Sequence, residues 1–66
     1  MINKIKVERA ILDITQEDLA EKIGVSRQTI NSIEKNRYVP STILALKLSK
    51  VFNKSVNDIF ELEGND

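Results

Sequence analysis

Arg27, Gln28, Asn31 and Ser32 fall within six consecutive positions, and each ends in groups that donate or accept hydrogen bonds. On a helix such a set suits non-covalent reading of a polar surface. Gln can bond adenine bidentately, Arg can bond guanine, and Ser can serve either way. The same set also suits the solvated outside of an ordinary amphipathic helix, and periodicity alone leaves both readings open. Covalent chemistry has little to work with. The chain has no cysteine and no histidine, which removes the thiolate, the commonest metal ligand and the commonest general base. The acid pairs Glu17/Asp18 and Glu61/Glu63 have no nucleophile or ligand set beside them, and solvation accounts for them. No enzyme, cofactor, metal site or small-molecule ligand is expected.

The elements that must position these residues follow from local signals. Thr15 reads as an N-cap with Asp18 three residues on, a variant of the capping box. The helix behind it covers 16–23, with Leu19, Ala20 and Ile23 on one face. Gly24 stands where a helix ends in left-handed geometry. Ser26 caps the next helix, about 27–35. At 100° per residue Ile30 and Ile33 define its buried side, Gln28, Asn31, Ser32 and Lys35 its outer side, and Glu34 leans inward. Asn36 to Pro40 is a loop. Ser41 caps a fourth helix, 42–52, whose core stripe is Leu44, Leu48 and Val51, with Ala45 and Phe52 less central. Ile43 and Leu46 point to its far side. Ser55 opens a short fifth helix ending near Phe60, and residues 60–63 alternate as a strand would. A first helix, 4–12, has Val7, Ala10, Ile11 and Leu12 at helical spacing. Residues 1–5 alternate weakly, as a short strand or a frayed start. Residues 64–66 are expected to be disordered.

Sixty-six residues bound the chain to one domain, 1–66. No apolar run approaches the roughly 20 residues of a membrane span, and the N-terminus lacks a signal-peptide stretch. A reducing cytoplasm is the expected location. The formal net charge is zero, with ten basic and ten acidic residues. Its distribution is uneven. Residues 26–54 carry six positive charges against Glu34 alone, while residues 55–66 carry four negative and none positive. One basic face on a neutral molecule fits this map, as do scattered solvated lysines.

The stretch TQEDLAEKIGVSRQTINSIEKNRYVPS resembles the helix-turn-helix regulators of the phage-repressor, Cro and XRE type. The resemblance rests on the T-Q-x-x-L-A opening, the I-G-V-S turn, R-Q-T-I-x-x-I-E and the P-S start of the fourth helix. It runs on through LALKLSKVF and DIFE to cover nearly the whole chain. It implies a mainly α, five-helix DNA-binding domain whose helix-turn-helix unit spans 15–35. The chain most resembles the small stand-alone members, some of which pair N- and C-terminal strands into an antiparallel ribbon. It also implies a cytoplasmic, prokaryotic transcriptional regulator, associated with the nucleoid when bound. Such a protein acts as a homodimer, a repressor foremost, on palindromic double-stranded DNA.

By position, the resemblance makes Arg27, Gln28 and Ser32 base readers and Gln16 a phosphate donor. Ser26, Thr29, Asn31, Lys35, Asn36, Arg37 and Tyr38 would hold the backbone or border the groove. Arg9 would face Glu34 as a partly buried ion pair. Two departures leave the rotation of the fourth helix open: Ile43 stands where a polar residue is common, and Thr42 where an apolar one is. The expected dimerisation region is about 43–63, with Ile43, Leu46, Phe60 and Leu62 in contact. The alternative is an antitoxin-like interaction module whose helix-turn-helix is secondary and whose fourth helix binds another protein.

Overall fold

The computed structural model describes residues 1–66. In chain order the elements are β1 (Ile2–Asn3), α1 (Ile5–Leu12), α2 (Gln16–Ile23), α3 (Arg27–Glu34), α4 (Thr42–Phe52), α5 (Val56–Ile59) and β2 (Phe60–Glu61). The helices are short, so their ends carry much of their definition. Thr15 Oγ1 accepts from the Asp18 N–H while Asp18 Oδ2 accepts from the Thr15 N–H, both at 3.0 Å, closing a capping box. Ser26, Ser41 and Ser55 accept in the same way from Thr29, Leu44 and Asp58. The chain leaves α1, α2 and α4 through left-handed residues: Asp13 (φ 55°), Gly24 (φ 75°) and Asn53 (φ 53°). At α3 the left-handed residue is Asn36 (φ 59°). The Asn36 N–H bonds the Ile33 carbonyl at 3.0 Å and the Arg37 N–H bonds the Ser32 carbonyl at 2.9 Å, the two bonds of a Schellman motif.

The five helices close around ten buried apolar residues: Ile5, Leu19, Ala20, Ile23, Ile30, Ile33, Leu48, Phe52, Ile59 and Phe60. Leu19, Ala20 and Ile23 of α2 meet Ile30 and Ile33 of α3, which fixes the two helices as a unit. The terminal strands pair antiparallel, with Ile2 opposite Glu61 and Asn3 opposite Phe60. The fold is therefore mainly α with a small antiparallel ribbon.

Two expectations change, at Phe60 and at residues 64–66. The helical spacing of Val7 and Ile11 holds, but that side of α1 is turned out: Val7 is 57% exposed and Ile11 64%, while Ile5 and Glu8 are buried. Rotation of α1 is set by Ile5 in the core, by Arg9 reaching α3, and by Glu8, whose Oε2 meets Lys54 Nζ at 3.0 Å. Phe60, expected at a subunit contact, lies in the chain's own core at 9% exposure, because pairing opposite Asn3 turns it inward. Residues 64–66 form a turn, with Asp66 accepting from the Glu63 N–H and meeting the N-terminal amine at 2.9 Å. The rotation of α4 follows its periodicity, with Leu48 and Phe52 buried and Ile43 and Leu46 exposed.

Hydrogen bonding from the Thr15 N–H, and then from its side chain, holds the Asp18 carboxyl below its usual value of 3.8. The capping box is thus complete above that value and is lost as pH falls through the lower folded value. Protection of the Thr15 and Asp18 amides from exchange, relative to their intrinsic rates, is expected to fall over that acidic range, and Asp18→Asn to remove the pH-dependent step. An identical acid profile in that variant would contradict this reading.

Candidate nucleic-acid interface

The inward flank of α3 carries Glu34, whose side chain is only 8% exposed. A carboxylate this buried requires partners, and two other helices supply them. From α1, Arg9 Nε donates to Glu34 Oε2 at 2.7 Å and Arg9 Nη2 to Oε1 at 3.1 Å, a bidentate pair. Arg9 Nη1 also donates to the Ile14 carbonyl at 3.1 Å, tying in the α1–α2 connection. The pairing with Glu34 raises the Arg9 pKa further above its already high value. From α2, Gln16 Nε2 donates to Glu34 Oε1 at 3.2 Å and approaches Asn31 Oδ1 at 3.5 Å. Glu34 thus joins α1, α2 and α3 through one carboxylate, and Gln16 is anchored rather than free to swing toward solvent.

With Glu34 turned inward, the outer side of α3 bears no acid. Ser26, Gln28, Thr29 and Ser32 line an open hollow of about 280 Å³ with Arg37 and Tyr38 from the loop after α3. Ser26 Oγ and Thr29 Oγ1 are bonded at 2.9 Å, which orders one wall. Arg27 borders a neighbouring hollow with Ser26, Gln28 and Asn31. Arg27 and Gln28 are exposed, and Thr29, Asn31 and Ser32 are half-buried. Lys35 is exposed at the α3 C-cap and lines neither hollow. Arg27, Lys35 and Arg37 take part in none of the chain's four ion pairs, so their charge faces solvent. An eight-residue helix is about 12 Å long, comparable to the width of the B-DNA major groove.

Gln16, expected as a phosphate donor, is bonded to the scaffold through Glu34. One residue that shapes this surface escapes the sequence. Asn3 of β1 donates from Nδ2 to the Ile33 carbonyl at 2.9 Å and to Asn36 Oδ1 at 3.2 Å, at the end of α3. No local signal marks Asn3, because its partners lie some 30 residues away. Of the apolar residues expected at a subunit contact, Ile43 is 66%, Leu46 59% and Leu62 78% exposed. No group of three or more acidic, histidine or cysteine side chains gathers as a metal site would need, and no helix is long and apolar enough to cross a membrane.

Truncating Arg9 strands Glu34 in a nearly dry site. Arg9→Ala is expected to cost about 3–5 kcal/mol, or more than about 10 °C in Tm for a chain of this size. A thermal melt checks it, and an unchanged Tm would show the pair to be a solvated surface contact.

Residues 5–59 match the helix-turn-helix family. The whole chain is 53% identical over 66 residues to an uncharacterised HTH-type transcriptional regulator of Methanocaldococcus jannaschii, covering all of both chains. It is 51% identical over 63 residues to the uncharacterised HTH-type transcriptional regulator YgzD of Bacillus subtilis, covering 96% of each. A third such regulator, from Archaeoglobus fulgidus, is 48% identical over 60 residues, covering 91% of this chain and 84% of that one. The match spans the capping box, the Gly24 turn, α3 and the Arg9–Glu34 pair alike. The chain belongs to the helix-turn-helix family of XRE-type transcriptional regulators.

Proposed function

We propose that this regulator lays α3 in the major groove of double-stranded DNA and acts as a homodimeric repressor on a palindromic operator. The family carries DNA binding and transcriptional regulation. The observation that favours α3 as the reading element is its acid-free outer side, where Gln28 and Ser32 share one hollow with Arg37 and Tyr38. Arg27, Gln28 and Ser32 read base edges. Arg37, Tyr38, Lys35, Ser26, Thr29 and Asn36 contact or border the phosphate backbone, which fixes register without reading sequence. Gln16 stands at the α2 N-terminus, where the helix dipole favours a phosphate, and its Nε2 turns from the weaker 3.5 Å contact with Asn31 to meet one while keeping Glu34. Asn31, beside Arg27 and Gln28, borders the groove.

The exposed apolar side chains Ile43, Leu46 and Leu62 support a subunit contact along the outer side of α4 and the tail. Two-fold symmetry then sets half-site centres about 34 Å apart, or a multiple of that spacing.

Gln28→Ala is expected to fold normally and to lose about 1–3 kcal/mol of discrimination between a selected operator and random DNA. Competition gel shifts measure this, and an unchanged specificity ratio would remove α3 from the reading role. Sedimentation of the free chain at micromolar concentration is expected to give a dimer that Leu46→Glu dissociates. A monomeric wild-type chain on selected DNA as well as off it would contradict the two-fold arrangement.

A further inference from the structure

The terminal ribbon lies on the far side of the sequence from the hollow beside α3, yet one side chain joins them. Asn3 is held in place three ways. Its strand pairs opposite Phe60, which is buried. The next N–H, that of Lys4, bonds the Ile59 carbonyl at 2.8 Å. Asn3 Oδ1 accepts from the Ile5 N–H at 3.4 Å at the start of α1. Both amide protons are then directed at the end of α3. One goes to the Ile33 carbonyl, which already accepts from the Asn36 N–H and so has both lone pairs used. The other goes to the Asn36 side chain.

Asn36 is the left-handed residue of the Schellman turn, and its backbone sets the direction in which the chain leaves α3. Arg37 and Tyr38 come next and supply the far wall of the hollow. Asn enters the left-handed region more readily than most non-glycine residues, because its short side chain can hydrogen-bond there. Here that side chain accepts from one in the ribbon.

We infer that Asn3 is a positioning residue for DNA binding: through its amide, the β1–β2 ribbon fixes the Asn36 turn and thereby the pose of Arg37 and Tyr38 against the phosphate backbone. This rests on the proposed DNA-binding role of the hollow. Asn3 touches no nucleic acid itself. It couples the chain termini to one edge of the binding surface, so loosening the ribbon weakens backbone contacts and leaves base reading by Gln28 and Ser32 intact.

The test combines Asn3→Ala with a background in which Arg37 and Tyr38 are both alanine, using a duplex selected from random DNA. On its own Asn3→Ala is expected to lower affinity about fivefold without changing the specificity ratio, and to speed amide exchange at Arg37 about tenfold, the range of one or two lost hydrogen bonds. In the double-alanine background the further affinity loss is expected to stay within about twofold, because the groups being positioned are gone. An equal loss in both backgrounds would overturn the inference, since general destabilisation acts on both alike. So would unchanged exchange at Arg37. If the double-alanine chain binds as tightly as the wild type, the inference fails through the interface reading, while Arg37 exchange still reports whether the clamp exists. Should Asn3→Ala not fold, Asn3→Ser keeps a side-chain acceptor for the Ile5 N–H two residues on and is too short to reach Ile33 and Asn36. The same ordering of affinities is expected of it, and wild-type behaviour in it would equally overturn the inference.

Discussion

The Glu34 carboxylate is the constraint on which the structure turns. Glu34 sits on the inward flank of α3, nearly out of solvent, and tolerates that position only because Arg9 and Gln16 reach it from two other helices. A pair of this kind adds little net stability over an apolar replacement, since desolvation offsets much of the Coulomb attraction. Its contribution is geometric. A bidentate contact allows one orientation of guanidinium to carboxylate, so α1 and α3 cannot rotate against one another without stranding a charge. The same contact that anchors α3 clears its outer side of negative charge. A second carboxylate, Glu8, is likewise turned inward against Lys54. A molecule of zero net charge thereby presents Arg27, Lys35 and Arg37 unpaired around one helix.

Helices of eight residues are too short to persist alone in water, and a chain this small buries only about 60% of its unfolded surface. Three of them nonetheless form here. Each of the four helices from α2 to α5 begins at a Thr or Ser whose side chain accepts an otherwise unpaired N–H. Left-handed residues turn the chain after α1, α2, α3 and α4. These local devices define where each helix lies. The ten-residue apolar core and the Glu34 contacts define how the helices sit together.

That division explains what the sequence made legible. Caps, the Gly24 turn and the inward side of α3 depend on residues three or four apart, so Thr15, Ser26, Ser41, Ile30 and Ile33 announce themselves. The resemblance then supplied Arg9 as the partner of Glu34, which no spacing could do. Alternation at the tail suggested a strand but not which face was buried, so Phe60 was expected outside and lies inside. Apolar periodicity at Val7 and Ile11 marked α1 as a helix, whereas Ile5, Glu8 and Arg9 determine its rotation through contacts with distant elements. Asn3 is the extreme case. A polar residue in a two-residue strand gives no hint that its amide holds the end of the helix three elements further on.

The central claim is that the Glu34 contacts hold α3 with its polar side outward so that this side meets DNA. The most direct measurement is an NMR titration of the isotope-labelled chain with a duplex selected from random sequence. The largest shifts are predicted at Arg27, Gln28, Ser32, Arg37 and Tyr38, with the Arg9 Nε–H resonance keeping its hydrogen-bonded position throughout. A shift map centred on Ile43 and Leu46 of α4, with the α3 side chains unmoved, would contradict the account.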